Sequence, residues 1–76
     1  MIDNKIVEMY NEINKGYTYK SKNGMARISL SYTKYFISYR NYGSSSIKNT
    51  IDNFTWLMNN IMKKYNNDFI KEDLHG

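Results

Sequence analysis

Ile2, Ile6, Met9 and Ile13 recur at spacings of four, three and four, which lines them up on one side of a helix. Gly16 stands where that helix needs a residue with positive φ after its last turn. Val7 falls off the stripe and is expected to be exposed. From Tyr17 the period changes to two. Tyr17 and Tyr19 alternate with Thr18 and Lys20, and Ala26, Ile28, Leu30 and Tyr32 alternate with Arg27, Ser29, Ser31 and Thr33. Between them lies Asn23-Gly24, a pair that tolerates positive φ at both positions and so marks a hairpin. A second tight turn near Thr33-Lys34 leads into Tyr35, Ile37 and Tyr39, read as inward, with Phe36, Ser38 and Arg40 outward. The pattern predicts a three-stranded antiparallel meander with one apolar face and one polar, basic face.

Residues 41–46, Asn-Tyr-Gly-Ser-Ser-Ser, read as a loop whose serines cap a second helix. Ile47, Ile51, Phe54, Met58, Ile61 and Tyr65 then share one helical side, flanked by Leu57 and Met62. Asn66-Asn67 ends that helix, and Asp68 is expected to cap a short terminal one from Phe69 to Leu74. A sheet with one apolar face needs a cover, and the two amphipathic helices supply it. The expectation is one small α+β domain over residues 1–76. Its order is α-β-β-β-α, with a three-stranded antiparallel sheet covered on one face by two helices and a short C-terminal helix.

Composition narrows the chemistry. There is no Cys, hence no disulfide framework, thiolate metal site or thiol nucleophile. The single His, His75, is penultimate. Paired with Ser44-Ser45-Ser46 it makes a poor catalytic base, because a triad needs its base oriented by a third group. Glu8 and Glu12, with Lys5, read as a solvated helix face. No Gly-rich phosphate loop is present. The expectation is a protein that is not an enzyme and needs no cofactor or metal. No apolar run suits a signal peptide or a membrane span, so no membrane partner is expected and a bacterial cytosol is the expected compartment. Asn, Lys, Ile and Tyr, all encoded by AT-rich codons, form nearly half the chain, which suits a low-GC genome or one of its phages.

Charge placement says more than the net +4. Residues 15–48 hold Lys15, Lys20, Lys22, Arg27, Lys34, Arg40 and Lys48 and no acid. A basic middle between mildly acidic ends favours an anionic partner. Cations, hydroxyls and Phe36 on the outward face suit phosphates and stacked bases; the same hydroxyls also suit an ordinary solvated sheet. The candidate contact residues are Lys20, Lys22, Arg27, Lys34 and Arg40 for charge, with Phe36, Tyr42 and Trp56 for apolar contact. Trp56 lies roughly opposite the buried helix stripe. It has two readings, an interface anchor or a ring covered by the terminal segment through Phe69 or Leu74.

The α-β-β-β-α order resembles the double-stranded RNA-binding domain. The stretch matching that family's Lys-rich second-helix N-terminus, Ser44-Ser45-Ser46-Ile47-Lys48-Asn49, holds one Lys here. The chain also resembles small phage-encoded anti-CRISPR proteins, at Asn14-Lys15-Gly16-Tyr17-Thr18-Tyr19-Lys20 and at Tyr35-Phe36-Ile37-Ser38, followed by a Ser-rich loop into the long helix. That second resemblance implies a non-enzymatic inhibitor of a host CRISPR-Cas effector, acting by steric occlusion. Its partner would be a host defence ribonucleoprotein, its nuclease subunit or the guide RNA. The relevant inhibitor is acidic and mimics a duplex, whereas this chain is basic at its sheet, so the implied contact is an acidic patch or RNA. The alternative is direct RNA or DNA binding. Self-association as a homodimer through Trp56 and Val7 is a third expectation.

Overall fold

Helix α1 spans Asn4–Asn14 and buries Ile6, Met9 and Ile13, three of the four residues of the expected stripe; Ile2 lies outside the described residues. The structure, a computed structural model, describes residues 4–40, 43–63 and 69–72. The helix closes as its sequence requires. Gly16 takes φ 112°, the Tyr17 amide donates to the Glu12 carbonyl at 3.1 Å and the Gly16 amide to Ile13 at 3.0 Å, a paired Schellman closure.

Strand β1 (Thr18–Ser21) and strand β2 (Ala26–Leu30) form the expected hairpin, with Lys20 opposite Arg27. Gly24, at φ 75°, turns the chain. The buried Ser21 hydroxyl fixes the junction: it donates to Asn23 Oδ1 at 2.6 Å and accepts the Ala26 amide at 3.1 Å.

Strand β3 (Tyr35–Arg40) pairs with β2, but one residue out of the expected register. The loop holds Tyr32, Thr33 and Lys34, one residue more than a tight two-residue turn. The Ser31 amide donates to the Tyr35 carbonyl at 2.8 Å, and Lys34 adopts φ 69° to close the turn. Leu30 therefore faces Phe36. A slip of one residue sends every side chain of a strand to the other face. Phe36 and Ser38 are buried; Tyr35 and Tyr39, expected inside, are half-exposed, and Tyr32 stands in the turn at 95 % exposure. The reason is visible in the core. Phe36 joins Tyr10 and Phe54 in a three-ring cluster, with centroids 5.0–5.8 Å apart. Phe has no hydroxyl to keep wet, whereas Tyr keeps its own at a surface. Ser38 is carried inside by the same register, and its Oγ has no hydrogen-bond partner among the described residues. Removing that desolvated hydroxyl should help: Ser38→Ala is expected to raise stability by about 1 kcal/mol in urea unfolding.

Among the described residues the sheet has five strands, all antiparallel, in the order β4-β3-β2-β1-β5, so the three-stranded expectation is corrected at both edges. Strand β4 (Gly43–Lys48) occupies the stretch expected to be a loop and the first helical turn. Helix α2 (Ile51–Trp56) begins later, behind Thr50, whose hydroxyl accepts the Asn53 amide at 3.1 Å. It runs into a π-helical turn, Leu57–Ile61. The wider turn brings Leu57 and Met62, expected to flank the stripe, into the buried core beside Phe54 and Met58. Strand β5 (Phe69–Glu72) pairs with β1 where a helix was expected; Tyr65, Asp68, Leu74 and His75 lie outside the described residues. Both helices cover the side that carries Tyr19, Ala26, Ile28, Phe36 and Phe69.

Candidate functional site

Among the described residues none covers the side of the sheet away from the helices. Strand pairing runs one row straight across it: Ser44, Tyr39, Arg27, Lys20 and Ile70, one residue from each strand. A neighbouring row begins with Ser46 and Ile37, and the next sets Lys48 opposite Tyr35. Alternation explains the membership, since Tyr35, Ile37 and Tyr39 share the face that Phe36 and Ser38 leave. Tyr39 is 50 % exposed, Tyr35 44 % and Ile70 44 %. The two tyrosines are four residues apart on one strand, roughly 13 Å.

Charge on this face is mixed in one place. Arg27 Nε donates to Glu72 Oε1 at 3.2 Å, and the Arg27 side chain remains about half exposed. Glu72 arrives on β5, so the acid-free stretch of the sequence acquires a carboxylate from a distant segment. Glu72 is the one acid on this face among the described residues, against Lys20, Arg27 and Lys48. The guanidinium keeps further N–H donors beyond the one that Glu72 accepts.

The expected contact residues do not form one site. Lys20 and Arg27 are direct cross-strand neighbours. Lys22 and Lys34 sit in turns at opposite ends of β2, both exposed. Phe36 is corrected from contact residue to core, being fully buried. Arg40 is corrected as well: it falls on the Phe36 side of β3 and is partly buried, opposite Ala26 and Gly43. Tyr42 lies outside the described residues. Trp56 is 51 % exposed on the helix layer, on the other side of the sheet from Lys20 and Arg27, while Phe69 is buried opposite Ser21. Tyr35, Tyr39, Ile37, Ile70 and Lys48 are face residues that sequence reasoning missed. The signal available for them was the choice between Phe and Tyr in Tyr35-Phe36-Ile37-Ser38-Tyr39, where burial favours the ring without a hydroxyl.

A concavity of about 340 Å³ lies between α1 and the β1–β5 edge and includes Lys5, Glu8, Met9, Tyr19 and Lys71 in its walls. Lys71 is already engaged there: its Nζ lies 3.6 Å from Glu12 Oε2 and 4.5 Å from the centre of the Tyr17 ring. Desolvation pushes the Glu12 carboxyl up, but Lys15 and Lys71 together outweigh it and hold the group below the usual carboxylate range. Burial, with Glu8 and Glu12 nearby, pushes the Tyr19 phenol up, so it stays neutral. No helix among the described residues is long and apolar enough to cross a membrane. Comparison with protein-family models, with curated proteins and with solved structures gives no match to this chain.

Proposed function

We propose that the chain is a non-enzymatic binding protein that takes a polyanionic nucleic-acid partner on its uncovered sheet face. The partner is either a free strand or the guide RNA of a host defence ribonucleoprotein. One observation carries this reading: Lys20, Arg27 and Lys48, from three different strands, share that face with exposed tyrosines and a single described carboxylate. Cations held in place by a sheet neutralise phosphates with little ordering cost, and the released counterions drive binding. Bound there, a domain of this size blocks access to whatever it covers, which is how the anti-CRISPR resemblance would be realised.

The test is a salt titration of binding to labelled RNA and DNA. With about three phosphates neutralised, affinity should fall roughly 20- to 40-fold between 50 and 200 mM salt. The double variant Lys20→Ala/Arg27→Ala should flatten the salt slope by about one to two units. Absence of binding to any nucleic acid at low salt removes the reading. A second reading, occlusion of a protein surface such as the nuclease subunit, is favoured by Ile70, an aliphatic side chain left exposed at the end of the same row. Under that reading affinity capture recovers the effector protein after nuclease treatment, and Ile70→Asp abolishes the capture.

A further inference from the structure

The uncovered face repeats one arrangement twice. Tyr39 stands directly opposite Arg27, and Tyr35 directly opposite Lys48. Side chains directly opposite on one face have Cβ atoms about 5 Å apart, so each exposed ring is flanked by the stem of a cationic side chain from the neighbouring strand. Ile37 lies between the two rings on the same strand face and is partly buried, which leaves a low apolar floor between them. Lys20 extends the Tyr39–Arg27 pair along the row. Phosphate capture accounts for the cations but not for two half-exposed aromatic rings set beside them.

We propose that the occupant is single-stranded nucleic acid, bound with one base stacked on Tyr39 and a second on Tyr35, its intervening backbone held by Arg27, Lys20 and Lys48; this rests on the nucleic-acid reading above. The flat face of an aromatic ring pairs with the flat face of any base, and sequence matters little to that contact. A base inside a duplex already has both faces stacked on its neighbours, so a duplex offers this surface phosphates alone. An unpaired strand offers both phosphates and base faces. Charge complementarity and the doubled ring–cation pair therefore select the unpaired strand. The Glu72 carboxylate on β5, bonded to Arg27 Nε, draws the Arg27 side chain across β1 on the side away from Tyr39, so the guanidinium and Lys20 lie together along the row.

The experiment uses the full chain and fluorescence anisotropy with four labelled probes of equal length: oligouridine, oligothymidine, the same deoxyribose backbone carrying abasic sites, and a hairpin duplex. The expected result is that at least one base-bearing single strand binds about tenfold or more tighter than both the abasic strand and the duplex. Tyr39→Leu and Tyr35→Leu should each weaken binding to the better strand by about 5- to 30-fold, while Tyr39→Phe, which keeps the ring, restores it. Both positions are at the surface, and thermal unfolding of each variant checks that the fold is unchanged. Equal binding of base-bearing and abasic strands overturns the stacking inference and leaves the phosphate-binding function standing. Duplex binding as tight as single-strand binding does the same. No binding of any probe overturns both.

Discussion

Replacing Phe36 with alanine is expected to cost about 3–5 kcal/mol, the upper range for a single truncation in a packed core. A chain of this length has a total stability of about 4–11 kcal/mol, so the loss removes between about a quarter and all of it. The ring is fully buried and contacts Tyr10 and Phe54, and the cavity left behind would be lined by both. Neither partner can close it easily, because each is fixed on a different helix and packed against further core residues. Urea unfolding of the Phe36→Ala and Tyr35→Ala variants measures the difference. Tyr35 is half-exposed on the opposite face, and its truncation should cost under about 1 kcal/mol. The expected alternation with Tyr35 inside makes the opposite forecast, so the pair reads the register of β3 directly. A small loss at Phe36 with a large one at Tyr35 would refute the observed pairing.

Phe69→Ala is expected to lower stability by about 3–4 kcal/mol. Phe69 is buried opposite Ser21 and belongs to the same core as Met9 and Tyr19. Its loss weakens β5 as well, since a four-residue edge strand has few other anchors: Ile70 and Glu72 lie on the uncovered face, and Lys71 meets Glu12 and Tyr17 at the surface. Hydrogen exchange on the variant should show β1 amides losing protection before those of β2 and β3. An exposed terminal helix would lose less than about 1 kcal/mol from the same change, and β1 protection would not move. Losing β5 would also remove Glu72 from Arg27. The Phe69→Ala variant, if folded, should therefore bind polyanions at least as tightly as the native chain while being less stable, a combination that separates the edge strand's structural part from its electrostatic one.

The element order expected from the sequence held a three-stranded sheet between two helices. The five-stranded sheet departs from that order on both sides, through β4 and β5. The uncovered face, and the side chains that the strands bring to it, carry the proposed function.

Local signals by themselves determined a good part of this protein. The stripe Ile6, Met9, Ile13 and the closure at Gly16 specify α1, because both depend on contacts within a few residues. Asn23-Gly24 specifies the first hairpin and its register for the same reason, and the Arg27–Lys20 pair on the uncovered face follows from it. Thr50, three residues before Asn53, held a readable cap that marks the true start of α2. Tertiary structure alone decided the rest. The slip in β3 is a competition between two nearly equal apolar phases, won when Phe36 fills the space between Tyr10 and Phe54. Strand β4, with its three serines, has little intrinsic preference for extension and is a strand because β3 has amides and carbonyls to pair. Strand β5 meets β1 from far along the chain, Phe69 opposite Ser21, a closure that no local pattern encodes. It is that pairing, together with the β3 slip, that placed Glu72, Tyr35 and Tyr39 on the face where Lys20 and Arg27 already stood.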